Sequence, residues 1–60
     1  MTDKEFGKLM RDLWHLRDAL NEALFAARKA HNEGNAFAEN MALSQVSDLG
    51  EEIAELAKLA

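Results

Sequence analysis

Two short patterns in this 60-residue chain are the natural places to look for chemistry. Asp12-Leu-Trp-His15 has the carboxylate-x-x-His spacing of di-iron helical bundles, where ligands at i and i+3 share one helix face. Such a site also needs glutamates on facing helices, and the facing layers here are aliphatic. Ser44 and Ser47 offer hydroxyl groups, but no histidine stands at a helical spacing that would set a base beside either. Gly7, Gly34 and Gly50 are isolated, so no glycine-rich loop cradles a phosphate. The absence of cysteine excludes a disulfide framework, a thiolate zinc site, an iron–sulfur cluster and a thiol nucleophile. No cofactor or metal is expected, and His15 and His31 read as polar surface residues.

The remaining chemical signal is charge. The formal net charge is -4, unevenly spread. Residues 1–31 are close to neutral, whereas residues 32–60 hold the single base Lys58 against Glu33, Glu39, Asp48, Glu51, Glu52 and Glu55. A phosphate-binding surface needs clustered Lys and Arg, so a nucleic-acid partner is not expected. Asp48, Glu51, Glu52 and Glu55 fall at i, i+3, i+4 and i+7, which makes one acidic helix face suited to a partner with a basic surface. The charge balance also argues against a basic amphipathic membrane helix. No apolar run approaches the roughly 18 residues that cross a bilayer, and Met-Thr-Asp-Lys-Glu is too charged to open a signal peptide. The expectation is a cytoplasmic protein without membrane attachment.

The elements that position these residues are helices. Thr2-Asp3-Lys4-Glu5 has the form of a capping box, and Asp3 suits the positive end of a helix dipole. An apolar stripe follows without interruption: Phe6, Leu9, Leu13, Leu16, Leu20, Ala23, Ala27 and Ala30, in steps alternating between 3 and 4. Arg28, Lys29 and His31 complement the negative end. Gly34 suits a left-handed C-terminal cap, and Asn35 an N-cap for the next helix. The second stripe is Ala42, Val46, Leu49, Ile53, Leu56 and Ala60. Its phase holds through Ser47 and Gly50, which predicts one helix over 36–60 after a helix over 3–32 and a turn at 32–35. The alternative uses Asp48 and Glu51 as a new capping box, breaks the helix near Ser47-Asp48, and gives a three-helix bundle. Gly50 costs about 1 kcal/mol relative to alanine inside a helix and so permits that break.

The two stripes also fix a register. In an antiparallel hairpin, facing positions sum to a constant. Ala27 with Ala42, Ala23 with Val46, Leu20 with Leu49, Leu16 with Ile53, Leu13 with Leu56 and Leu9 with Ala60 share one sum, and its midpoint falls between Gly34 and Asn35. Heptad phase and turn chemistry thus give the same all-α antiparallel hairpin as a single domain over 1–60. The register sets the acidic face level with residues 14–21, which predicts ion pairs with Arg17, and Arg11 stands not far away.

A hairpin buries one stripe per helix, and this chain has more apolar surface than that. On helix 1, Phe6, Met10, Trp14, Leu24 and Phe25 lie beside the stripe or beyond its partner's reach. Trp14 and Phe25, eleven residues apart, project from nearly the same side. On helix 2, Leu43, Ser47, Gly50, Ala54 and Ala57 form a second face of mostly small residues, and Phe37 and Met41 add a bulky pair near the turn. Bulky residues of one chain covering the small face of another would close a four-helix bundle, which predicts a homodimer. Phe6, Met10, Leu24, Leu43, Ser47, Gly50, Ala54 and Ala57 are its expected interface. Trp14, Phe25, Phe37, Met41 and the acidic face Asp48, Glu51, Glu52, Glu55 are the expected contacts to a protein partner.

Leu16-Arg17-Asp18-Ala19-Leu20-Asn21-Glu22 followed by Ser44-Gln45-Val46-Ser47-Asp48 resembles the small helical-hairpin phosphatases that strip phosphoaspartate from sporulation response regulators. The likeness covers about half the chain. In that family a Ser-Gln-x-Leu-Asp signature lies on the second helix, and Ser44, Gln45 and Asp48 would carry it here. Ser47 stands in place of the leucine, the following leucine-isoleucine is unmatched, and the helix connection is longer.

The leading reading is a small non-enzymatic regulator or adaptor that works through helix-mediated protein–protein contacts, with aromatic anchors for affinity and acidic residues for orientation. The alternatives are an aspartyl-phosphate phosphatase, as the resemblance implies, and a designed bundle without function. The off-stripe aromatics and a mid-helix glycine count against a design.

Overall fold

The computed structural model describes residues 1–59, which form an antiparallel helical hairpin: α1 (Asp3–Asn32) and α2 (Ala36–Ala57). The three-helix alternative is not adopted, because α2 runs unbroken through Ser47, Asp48 and Gly50. Its apolar phase outweighs the local cost of one glycine. The helix stops at Ala57 rather than at the expected residue 60. There the Lys58 N–H still donates to the Ala54 carbonyl and the Leu59 N–H to that of Leu56, so the last turn is hydrogen-bonded past Ala57. Ala60, expected opposite Leu9, lies outside the described residues.

The caps form as the sequence implies. Thr2 Oγ1 accepts from the Glu5 N–H at 3.1 Å, and Glu5 Oε1 accepts from the Thr2 N–H at 3.3 Å, completing the capping box. At the far end Gly34 takes φ 71°, a left-handed conformation that costs glycine little. Its N–H donates to the His31 carbonyl, and the Asn35 N–H donates to the Ala30 carbonyl at 2.9 Å. This pair of bonds is a Schellman motif. Asn35 Oδ1 then accepts from the Ala38 N–H at 3.0 Å and starts α2. One glycine and one asparagine therefore reverse the chain. His31 Nδ1 lies 3.1 Å from Glu39 Oε1 and ties the two helices just beyond the turn.

The core is thin. Its buried side chains are Leu9, Ala23, Ala27, Ala30 and Ala42, and four of those five are alanines on the turn side of the hairpin. The larger stripe residues Leu13, Leu16, Leu20, Val46, Leu49, Ile53 and Leu56 are half-buried. Two helices can enclose a methyl group between closely approaching backbones. A leucine's branched end reaches past the line of contact, and of the stripe leucines only Leu9 is buried. Phe6, expected in the stripe, is half exposed, because it lies beyond the end of α2.

The molecule is a rod, 48 × 14 × 9 Å across its Cα atoms. Its radius of gyration is 14.2 Å, against about 10 Å for a compact chain of this length. It exposes 4838 Å², where a compact 6.7 kDa monomer exposes about 3,900 Å². No helix among the described residues is long and apolar enough to cross a membrane.

Candidate protein-interaction surface

The antiparallel register sorts the surface into two flanks. Residues immediately following the Leu9–Leu16–Ala23 positions (Met10, Arg17, Leu24) share a side with those following Ala42, Leu49 and Leu56 (Leu43, Gly50, Ala57), because reversal of the second chain brings like flanks together. Residues immediately preceding Leu13, Leu20 and Ala27 (Asp12, Ala19, Ala26) share the other side with those preceding Val46 and Ile53 (Gln45, Glu52). The grooves of the molecule agree with this sorting. One is lined by Ala19, Glu22, Ala26, Gln45, Asp48 and Glu52. The next, along the same flank, is lined by Leu16, Glu51, Glu55 and Leu56 together with Asp48 and Glu52.

This second flank is acidic. Glu22, Asp48, Glu51, Glu52 and Glu55 border its two grooves, and no lysine or arginine does. The expected pairing of the acidic face with Arg17 does not occur. Arg17 instead lies over the indole of Trp14, its guanidinium carbon 5.1 Å from the ring centroid. The register correctly gives the height of Arg17 along the rod, but height is not side: Arg17 stands on the apolar flank. Arg11 borders a separate groove in the first turns of α1, with Asp3, Lys4 and Glu5. On the acidic face, Lys58 Nζ donates to Glu55 Oε1 at 3.3 Å, a pair so exposed that it adds little stability.

The apolar flank carries Phe6, Met10, Trp14 and Leu24 from α1, all classed as exposed, with Leu43, Ser47, Gly50, Ala54 and Ala57 from α2, also exposed. Phe25 and Phe37 point farther outward, 71% and 78% exposed, and Met41 stands on the acidic side of α2 near the turn. Every residue expected to touch a partner is therefore accessible. The structure brings the small row and the bulky row onto one flank, and it separates them from the acidic residues.

Five residues of this surface are not evident from the stripes alone. Arg17 lies over the indole rather than in an ion pair, as its i+3 spacing from Trp14 allows. Ala19, Glu22, Ala26 and Gln45 were not recognised as walls of the acidic groove; flank positions of an antiparallel pair would have revealed them. No buried polar or charged side chain is found among the described residues, nor any group of three or more His, Asp or Glu side chains placed to hold a metal ion. Ser44, Gln45 and Asp48, which carry the phosphatase resemblance, are all exposed on α2. No family model, curated protein or solved structure matches the chain.

Proposed function

We propose that this chain is a non-enzymatic interaction module: a helical hairpin that associates with a second copy of itself and uses what remains exposed to dock a protein partner, as a small regulator or adaptor. One observation carries this reading. Ten large apolar side chains are exposed among the described residues, while Leu9 is the only buried residue larger than alanine. A 60-residue hairpin with so little interior is a marginal fold on its own. Catalysis asks for the opposite arrangement, with polar groups held in a desolvated pocket, and the grooves here are open and bordered by exposed carboxylates.

The phosphatase alternative has electrostatics against it. Gln45 and Asp48 share their groove with Glu22 and Glu52, and no cation lines it to receive a phosphoryl group. The acidic flank is suited instead to a partner with a basic surface, and Phe25 and Phe37 supply aromatic anchors outside the self-association flank.

The test is capture from the native host, then reconstitution with the purified partner. Phe25→Ala should weaken the reconstituted complex about tenfold or more, the cost of losing one aromatic anchor. Glu51→Gln with Glu55→Gln should slow association most at low salt. Unchanged affinity and salt dependence in these variants would remove both the anchor and the acidic face from the account.

A further inference from the structure

We propose that two copies pair through the apolar flank, with α1 of one copy against α2 of the other and both turns at the same end of a four-helix bundle. The inference rests on the self-association reading above and adds the face and the geometry.

Area comes first. The hairpin exposes about 900 Å² more than a compact monomer of its mass. A standard interface removes about 800 Å² from each partner, so one such contact returns the chain to ordinary exposure. Charge then selects the side. Between Phe6 and Arg28 on α1, and along α2, the apolar flank carries no carboxylate. The opposite flank carries five around its grooves, and two copies meeting there would repel. Of the cations on the apolar flank, Arg17 is already stacked on Trp14, an arrangement that keeps its charge while covering an aromatic face.

Shape selects the arrangement. In the hairpin's own register, Met10 stands at the height of Leu59, Trp14 at that of Glu55, and Leu24 at that of Gln45. The α2 flank residues nearest those heights are Ala57 for Met10, Ala54 for Trp14, and Leu43 and Ser47 equally for Leu24. A two-fold axis along the rod keeps these heights, sets Met10 and Trp14 of one copy over small α2 residues of the other, and places Leu24 between Leu43 and Ser47. At Gly50, midway along the flank, no atom beyond the local helix backbone lies within 4 Å of the place a Cβ would occupy, so this surface is open to an approaching helix. Pairing α1 with α1 would instead stack bulk on bulk and leave voids between the small rows, against the density of a packed interior.

The experiment uses the full chain with a spin label on Glu33→Cys, the sole cysteine in that variant. With both turns at one end, pulsed dipolar spectroscopy should give label separations within about 25 Å, since neighbouring helices lie only about 8–10 Å apart. A separation near the 48 Å length of the rod would overturn the same-end geometry and leave self-association standing. No dipolar coupling, with a monomeric mass, would take down the self-association reading itself. Ala54→Glu and Ala26→Glu place the same charge on opposite flanks, at positions exposed in the single hairpin. Ala54→Glu should raise the dimer dissociation constant by at least about tenfold, and Ala26→Glu should change it less than about twofold. The reverse order would overturn the choice of face. Circular dichroism reports whether each variant is folded, and the label separation tests the geometry independently of either.

Discussion

The two halves of the hairpin solve packing differently. Toward the turn, Ala23, Ala27, Ala30 and Ala42 are buried, and the interior is closed with methyl groups alone. Toward the open end, Leu13, Leu16, Leu20, Leu49, Ile53 and Leu56 face one another and are only half-buried, with Leu9 the one large side chain that is buried there. The second half has far more apolar mass and covers it less completely. Two helices close an interface most readily where their side chains are small; a run of larger ones is fully covered when further helices pack around it. The alanine half therefore resembles a clasp complete in itself. The leucine half is left partly open, and Phe6, Met10 and Trp14 flank that same end.

The contrast can be broken by exchanging side chains between the halves. The largest effect is expected for Leu20→Ala, at about 2–4 kcal/mol in chemical denaturation, the cost of truncating a half-buried leucine that the proposed dimer would cover. A loss below about 1 kcal/mol would mean that Leu20 stays as exposed as the single hairpin leaves it, and that nothing covers the leucine half. Next comes the converse change, Ala27→Leu, which forces a large side chain between closely packed backbones. It should cost about 1–3 kcal/mol by overpacking. Stabilisation by this variant would show that the turn half is as open as the other.

A smaller effect separates the two ends through their caps. Asn35→Ala removes the side-chain acceptor of the Ala38 N–H at the clasp and should cost about 1 kcal/mol. Thr2→Ala breaks the capping box at the open end, where Thr2 and the first turn of α1 are exposed and extend past α2, and should cost less. Equal losses in thermal unfolding would indicate that both ends are held alike.

Much of this architecture was legible in the residues. Thr2 with Glu5, Gly34 with Asn35, and the uninterrupted stripe from Leu9 to Ala30 fix the two helices and the reversal, because caps and heptads are local and each depends on a few side chains. The continuity of α2 rests on less, since Ser47, Asp48 and Gly50 satisfy a break as well as a helix, and only the phase of Leu49 and Ile53 distinguishes them. The side on which Arg17 stands was misread, because a constant sum of residue numbers measures height along the rod and is silent about rotation around it. The contrast between buried alanines and half-buried leucines follows from how closely two backbones approach, which is a property of the assembled pair and not of either stripe.

The central claim is that this hairpin is half of a core, and the most direct measurement is the mass of the folded protein in solution. Sedimentation equilibrium at micromolar concentration, with helicity followed on the same sample, should give twice the 6.7 kDa chain mass and a helical signal that falls as dilution separates the copies. A fully helical species of 6.7 kDa that keeps its stability on dilution would contradict the account.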